Sequence, residues 1–413
     1  MTLDRRPLMT AWLVAGCLTL VRPAALAQEI ATTPDVQQRI KTFESSLMAM
    51  PQGPPETAAP AAKPQTLADR MVADKVPGVS IAVIDDWKVE WTKAYGEIRA
   101  GGGPAVTTET LFEAASTTKA LVAATVMHYV DTGRFNLDAD VNTYLKSWKV
   151  PENELTRDKP VTLRLLLTHR AGLPSTSMGF DEKAGAPTLV QVVKGEAPAS
   201  NKAAVPEAIP GSTWQYSNVG YALIQLILED ALGQGLEKTM AQVVFEPLGM
   251  KTSTLAYPLP AALREREALP HDDKGMAAQP RMHPTAQAQG GLMSTPTELA
   301  AALIELMRAY RGDSTRLLSR DGARAMFHPE VDLDPRLFGT PLSEGLGVFV
   351  KGQGATLTIL HPGNNAPGSV CWMIGFPQQG KGAVFMLNAA NGELLAFEIL
   401  AALGGVYHWP ALM

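Results

Sequence analysis

The chain has 413 residues, of which 46% are hydrophobic and 19% are charged, and its formal net charge is −5. This composition is typical of a globular protein and excludes a disordered chain, while the lack of any basic run argues against nucleic acid as a partner. Two cysteines cannot form a disulfide framework or a cysteine-based zinc site, and the seven histidines show no metal-ligand spacing. We therefore expect no metal and no other cofactor.

The beginning of the chain resembles a secretory signal peptide. A charged start precedes an apolar run over residues 8–21, and residues 25–27 (ALA) supply the small-x-small pattern that a signal peptidase cleaves. The run is shorter than the roughly 20 apolar residues of a transmembrane helix, so we expect no stable membrane span. We expect residues 1–27 to be removed and the protein to be exported, periplasmic or secreted. Residues 14–17 (VAGC) also resemble a lipobox, so lipidation at Cys17 is a second, less favoured route.

After the leader, a Pro- and Ala-rich N-terminal segment covers residues 28–66, and its part over 51–64 is predicted to be a flexible tether. The domain itself is predicted over residues 67–410. Within it, residues 116–310 show mostly helical periodicity and form the predicted helical lobe.

Short β-rich runs lie on both sides of this lobe. They cover residues 79–84, 89–94, 347–350, 356–360, 370–375 and 383–387, and a helical stretch over 394–403 follows them. This order predicts an α/β (α+β) fold in which an antiparallel sheet is built from both chain ends, flanked by terminal helices, with the helical lobe inserted.

A Ser-x-x-Lys motif, Ser116 to Lys119, stands directly before an apolar helical run over residues 120–130. A helix that is apolar on all sides is buried, so both residues are predicted on the first turn of a buried helix, on one face. Burial and the positive end of a helix disfavour an ammonium group, which lets a neutral Lys119 accept the Ser116 proton. The motif alone is equally compatible with a serine N-cap and a lysine that reaches solvent.

A second constellation, Tyr216-Ser217-Asn218, opens a helical run over residues 221–232. In a catalytic role, Tyr216 places a phenol beside the nucleophile as general acid/base, and Asn218 donates its amide to the substrate. The phenol needs a cationic neighbour to act as a base, and Lys119 is the candidate. The structural alternative makes Ser217 or Asn218 an N-cap.

A third motif, His361-Pro362-Gly363, follows the β-rich run over 356–360. An edge strand beside the nucleophile presents backbone groups to a substrate, and glycine permits close approach. Alone, His361 is more often an ordinary surface or packed histidine. His169, in the segment LLLTHRAGLP, is predicted to be structural.

The succession of Ser-x-x-Lys, Tyr-x-Asn about 100 residues later and His-x-Gly near the C-terminus resembles the class C β-lactamase-like serine hydrolases. This family includes D-alanyl-D-alanine carboxypeptidases, D-amino-acid peptidases, family VIII esterases and true class C β-lactamases. The resemblance covers about residues 67–410 and includes WQYSNVGYALI (214–224), FEPLGM (245–250) and QGGLMST (289–295). It implies a β-lactamase or penicillin-binding-protein transpeptidase-like fold.

The resemblance also implies roles for the first two motifs. Ser116 is the implied acylated nucleophile, and Lys119 is its implied proton acceptor. Tyr216 is the implied acid/base that carries the proton to the leaving group.

The resemblance implies substrate-binding roles for the remaining positions. Asn218 is implied as a ligand of the substrate amide, and His361 and Gly363 stand where the family keeps its third motif. The backbone N–H groups of Ser116 and Asn364 are the implied oxyanion hole, in which losing one donor costs about 10²–10³ in rate.

One departure from the family pattern bears on the substrate. True class C β-lactamases have Lys-Thr-Gly where this chain has His-Pro-Gly, and a histidine is largely neutral at pH 7, so physiological β-lactam resistance is not expected. We expect a serine hydrolase for an amide or ester carbonyl in a small molecule or peptide, with D-amino-acid peptidase or amidase activity favoured. Small-ester hydrolysis or weak β-lactamase activity, and a non-catalytic penicillin-binding sensor or scaffold, are the alternatives. The oligomeric state is not indicated.

Overall fold

The computed structural model describes residues 32–50, 63–280 and 284–410. The predicted signal peptide, with Cys17, and almost all of the predicted tether lie outside the described residues. Within those three ranges, every helix is too short or too polar to span a lipid bilayer.

The strands of the described chain form one large antiparallel sheet and one small pair. Their bounds are β1 (Gly78–Asp85), β2 (Lys88–Gly96), β3 (Phe112–Glu113), β4 (Met293–Ser294), β5 (Val331–Asp332), β6 (Ser343–Glu344), β7 (Phe349–Lys351), β8 (Thr358–Asn365), β9 (Ser369–Phe376) and β10 (Lys381–Leu387). The large sheet has the order β2-β1-β10-β9-β8-β7-β6-β5, and β3 pairs with β4. Because β1 pairs with β10, the sheet joins both chain ends, and the predicted α/β architecture is confirmed.

Helices cover both faces of the sheet. Their bounds are α1 (Pro34–Glu44), α2 (Leu67–Ala73), α3 (Thr118–Asp131), α4 (Leu163–Leu167), α5 (Leu189–Lys194), α6 (Asn218–Leu232), α7 (Leu236–Met240), α8 (Glu246–Leu248), α9 (Ala261–Arg264), α10 (Pro296–Arg311), α11 (Arg320–Met326) and α12 (Gly392–Tyr407). Helix α12 contacts β9 and β10 and is covered by α1, whereas α10 contacts β1, β2, β9 and β10. Helices α3 and α6 belong to the core on the α10 side.

The central strands are apolar on both sides because both faces are buried. In β1, Val79, Ile81 and Val83 join the core under α12, while Ala82 and Ile84 join the core under α10. Successive side chains of a strand point to opposite faces, so a nearly continuous apolar run is what a doubly covered sheet requires.

The first helix precedes the domain boundary expected at residue 67, yet it packs on the same core. Phe43 and Leu47 are fully buried, and the Arg39 guanidinium pairs with Glu90 on β2. Residues 34–47 therefore contribute to the fold, in front of the segment that was predicted to be a tether.

The strand that carries the third motif is longer than the sequence indicated. It was expected to end before His361, but β8 continues to Asn365 and pairs with β9 along this length. Strand β7 pairs only with Thr358–Leu360, so the rest of β8 has a strand on one side only. Proline lacks an N–H and is tolerated at such an edge, which explains why Pro362 does not end the strand.

Candidate active site

Ser116 and Lys119 meet at the start of the buried helix α3. Ser116 lies in a 3-10 turn, Ala115–Thr117, that leads directly into α3. Lys119 is fully buried, and its Nζ lies 3.1 Å from Ser116 Oγ. The same Nζ donates to the backbone carbonyl of Gln289 at 2.5 Å. The motif therefore has the contact that nucleophile activation needs, and Lys119 does not reach solvent as in the alternative interpretation.

The backbone just before the nucleophile is strained. Ala115 has φ of +47°, which is in the left-handed region that non-glycine residues avoid. Such conformations cost on the order of 1–3 kcal/mol, and they cluster at active sites because the surrounding fold must hold them. Nothing in the local sequence indicated this feature.

Tyr216 lies against both residues of the first motif. Lys119 Nζ is 4.9 Å from the centre of the Tyr216 ring, and Tyr216 and Ser116 line the same cavity. Burial raises the pKa of the Tyr216 phenol well above its usual value, the Ser116 hydroxyl opposes this, and Glu344 adds to the rise. The phenol therefore keeps its proton at neutral pH.

His169 packs against the ring of Tyr216. Its ring centre is 4.2 Å from that of Tyr216, and its Nδ1 accepts a hydrogen bond from the Ser217 N–H at 3.1 Å. The residue is buried, with φ of +54°. Burial, followed by the charge of Lys119, lowers the pKa of the ring well below its usual value, so His169 is a neutral support.

The third motif packs directly on the turn that holds the nucleophile. The Thr117 hydroxyl donates to the His361 carbonyl at 3.0 Å and joins that turn to β8. A Cβ placed on Gly363 would lie 2.6 Å from the Ala114 oxygen and 2.9 Å from the Ser116 nitrogen. Glycine is therefore required here by close approach, as the sequence indicated for an edge strand beside the nucleophile.

His361 is buried and neutral. Its Nδ1 contacts the Pro362 carbonyl at 2.8 Å, and its Nε2 has no partner among the described residues. Burial lowers the pKa of His361 to about 3, and the nearby Lys119 charge acts in the same direction. The ring therefore provides no cation in the range where enzymes usually work.

The neutrality of His361 predicts a pH dependence of stability. Between pH 6.5 and about 3, the unfolded chain binds a proton at this ring that the folded chain excludes, so the free energy of unfolding should fall as the pH is lowered through that range. Urea unfolding between pH 4 and 7 should give a shallower fall for His361→Gln than for the wild type. The matched control is the same substitution at the exposed His328. Equal pH dependences of the free energy of unfolding for the wild type and His361→Gln would contradict the assignment of a neutral His361.

A buried carboxyl that the sequence analysis missed lies near Lys119. Glu344 is fully buried on β6, and its Oε2 accepts a hydrogen bond from Trp214 Nε1 at 3.3 Å. Its Oε1 and the Tyr221 hydroxyl have no partner among the described residues. Burial raises the pKa of Glu344 well above its usual value, while Trp214 and Lys119 oppose the rise. No sequence motif connects residue 344 with residue 119.

The nucleophile opens into a mostly apolar cavity of about 280 Å³, with five aromatic residues in its lining. Its lining consists of Ser116, Trp214, Tyr216, Phe338, Phe349, Pro362, Gly363, Asn364, Val370, Trp372 and Glu393. Four predicted site residues, Ser116, Tyr216, Gly363 and Asn364, thus share one cavity, while Lys119 and His361 lie buried behind it. Trp214 and Tyr216 belong to the second motif and its surroundings, whereas Phe338, Phe349 and Trp372 come from segments without motifs, so sequence reasoning did not find these three.

The contacts of Asn218 and Asn364 neither support nor contradict the roles expected for these residues. Asn218 is the half-buried first residue of α6, and its amide makes no hydrogen bond in the described part of the chain. The Asn364 side chain donates to Glu393 at 3.1 Å. The substrate contact of Asn218 and the oxyanion hole of Ser116 and Asn364 stay predictions.

Solved structures similar to this chain share its fold. They include a penicillin-binding protein homologue from Pyrococcus abyssi (TM-score 0.68, 23% identity, 83% of this chain and 76% of that chain). They also include the D-amino acid amidase from Ochrobactrum anthropi SV3 (TM-score 0.66, 24% identity, 83% of this chain and 97% of that chain). A class C beta-lactamase mutant has a TM-score of 0.64 at 19% identity, over 81% of this chain and 95% of that chain.

The curated relatives match over shorter stretches. The chain is 30% identical over 259 residues to penicillin-binding protein 4 of Amycolatopsis lactamdurans, over 61% of this chain and 65% of that protein. It is also 30% identical over 205 residues to a putative D-alanyl-D-alanine carboxypeptidase of Escherichia coli O157:H7, over 46% of each. The chain thus spans less than two thirds of the length of either relative. The model of the Beta-lactamase family matches residues 64–403, and because this is most of the chain, the protein belongs to the beta-lactamase family, as its three motifs indicated.

Proposed function

We propose that this protein is an exported serine hydrolase that cleaves an amide bond through an acyl-enzyme at Ser116, with a D-amino-acid amidase or peptidase type of activity. The observation that carries the proposal is the fully buried Lys119, whose Nζ contacts Ser116 Oγ and donates to the Gln289 carbonyl. A neutral amine in this position uses an N–H for the carbonyl and keeps its lone pair for the serine proton. A serine paired with a base in this way is the usual signature of nucleophilic catalysis.

The proposed reaction divides the proton transfers between two groups. Ser116 Oγ attacks the carbonyl carbon, and Lys119 takes the hydroxyl proton. Tyr216 then donates its phenolic proton to the leaving nitrogen as the C–N bond breaks, and Lys119 returns a proton to Tyr216. Water attacks the Ser116 ester, gives one proton back to Ser116 Oγ and releases the acyl group as an acid. The Tyr216 phenol is protonated at neutral pH, as the donor role requires.

The cavity favours a substrate without a carboxylate at the scissile end. None of the described residues in its lining is a lysine or arginine, and the neutral His361 lies behind it. Moving a carboxylate into such a site without a counter-charge is costly. This supports an amidase over a carboxypeptidase, whose substrate ends in a carboxylate.

The proposal agrees with one neighbour and departs from the name of one relative. The fold neighbour from Ochrobactrum anthropi is a D-amino acid amidase, while one curated relative is named a putative D-alanyl-D-alanine carboxypeptidase. The mostly apolar lining keeps small-ester hydrolysis as the second candidate function, because activated esters demand little beyond a nucleophile. Export rests on the sequence of residues 1–27 alone.

A pair of substrates that differ only in the terminal group tests the proposal. N-acetyl-D-phenylalanyl-D-alaninamide should be cleaved with a kcat/KM at least about tenfold above that of N-acetyl-D-phenylalanyl-D-alanine, because only the second must desolvate a carboxylate. The preference should be constant between pH 5 and 8, since His361 titrates below this range.

The controls separate the alternatives. The L,L forms of both peptides test the stereochemical part of the proposal, and p-nitrophenyl acetate tests simple ester hydrolysis. Faster cleavage of the free acid would indicate a carboxypeptidase. Turnover of the ester alone would favour the esterase.

A further inference from the structure

The cavity above the nucleophile has one charged group in its described lining, and that group is acidic. Glu393 lies in the first turn of α12, on the opposite side of β8 from the helical lobe. Lys119 and Glu344 are titratable groups of the same region, but both are fully buried, whereas Glu393 is exposed. A substrate that enters the cavity therefore meets a negative group and no positive one.

Glu393 is held near the nucleophile through one short connection. The Asn364 Nδ2 donates to Glu393 Oε2 at 3.1 Å, which joins α12 to the edge of β8. Asn364 follows Gly363, and Gly363 packs against the backbone nitrogen of Ser116. A carboxylate offers about four acceptor positions, so the Asn364 contact leaves Glu393 able to bind a further donor. Because Glu393 and Ser116 line the same cavity, one molecule can contact both.

Aromatic side chains surround the rest of the cavity. Trp372 is almost fully buried on β9 and packs edge-on against Phe397 of α12, with ring centres 5.0 Å apart. Phe338 and Phe349 are also in contact, at 4.9 Å between ring centres, and the half-buried Trp214 lies 6.5 Å from Phe338. Such walls suit an apolar or aromatic group, and they also attract organic cations through the faces of their rings.

The size of the cavity limits the substrate portion that it can hold. Ligand pockets usually range from about 300 to 1,000 Å³, so the 280 Å³ found here lies just below this range. One amino-acid side chain with its amine suits this volume better than several residues of a peptide do.

We propose that Glu393 determines specificity by binding the free amine of the substrate, so that the preferred substrates are amides or esters of amino acids that carry an ammonium group beside the scissile carbonyl and an apolar or aromatic side chain. The inference rests on the proposed function for the position of the carbonyl. The binding step itself requires no turnover and is measured separately.

Calorimetric titration of the intact protein with 2-phenylethylamine and with 2-phenylethanol tests the binding step. The two ligands share the ring and differ in the ammonium group. The amine should bind about tenfold more tightly to the wild type, because its ammonium group donates a hydrogen bond to a charged carboxylate, a contact that solvent at Glu393 weakens. Glu393→Gln should remove this preference, and Glu393→Lys should reverse it.

The matched control is Glu152→Gln, which changes the net charge equally at an exposed position in the loop before α4. Its preference should equal that of the wild type. An equal preference in wild type and Glu393→Gln overturns the proposal, as does the absence of any preference in the wild type.

A kinetic comparison extends the test to catalysis. The substrates are the p-nitroanilides of D-phenylalanine and of 3-phenylpropanoic acid, which lacks the amine. The ratio of their kcat/KM values should fall about tenfold in Glu393→Gln. If the wild type shows no preference for the amine but hydrolyses the substrates, only the Glu393 proposal is contradicted. Amine binding by a protein that hydrolyses neither substrate contradicts only the proposed function.

Discussion

Replacement of Ser116 by alanine should abolish both turnover and covalent labelling. The wild type should gain the mass of one fluorophosphonate adduct in intact-mass spectrometry, and Ser116→Ala should gain none. The reason is that the proposed activation depends on Oγ, which is the atom that Lys119 contacts at 3.1 Å. Amide hydrolysis should fall by at least about 10³-fold, the scale on which removal of a catalytic nucleophile is felt even when binding groups remain.

The matched control is Ser175→Ala, which removes another serine hydroxyl at an exposed position. It should be labelled like the wild type. Thermal unfolding should also be similar in both variants, because Ser116 is only half-buried and alanine fits the same backbone. A labelled Ser116→Ala would mean that another residue is the nucleophile, and an unlabelled wild type would favour the non-catalytic binding protein.

Much of the fold can be predicted from the sequence, because the apolar runs of strands and of buried helices are local patterns. The strand of β1 appears as an apolar run since both of its faces are covered, and α3 appears as an apolar helix for the same reason. The prediction was wrong about where one strand ends. The predicted β-rich run ended at residue 360, and only the partial pairing of β7 with β8 explains why the strand continues through Pro362.

The candidate site was predictable only where its residues belong to motifs. Ser116 and Lys119 are three positions apart on one turn, so their contact follows from helix geometry. The Gln289 carbonyl, Glu344 and Glu393 approach the site from distant segments. Such contacts depend on how elements pack, and a single sequence holds no periodicity that encodes them. The neutral state of His361 is likewise a result of burial, which its motif does not indicate.

The close contact between β8 and the nucleophile turn gives the second large effect. Gly363→Ala should lower kcat/KM by about 10²-fold or more, because an added Cβ would lie 2.6 Å from the Ala114 oxygen and 2.9 Å from the Ser116 nitrogen. Both atoms belong to backbone that cannot rotate away, so β8 and the turn before α3 must separate. That separation moves Ser116 relative to Tyr216. It also separates the Ser116 and Asn364 N–H groups, which form the proposed oxyanion hole.

Gly405→Ala is the control for this substitution. Gly405 lies on the exposed side of α12, and a Cβ there meets no atom within 4 Å among the described residues. Because alanine favours a helix over glycine by about 1 kcal/mol, this variant should be as stable as the wild type or more so, with unchanged kcat/KM. Intact-mass labelling then distinguishes a displaced site from an unfolded one. A folded Gly363→Ala with slow fluorophosphonate labelling supports the close approach, and wild-type labelling and turnover in that variant would show that β8 does not pack on the nucleophile turn.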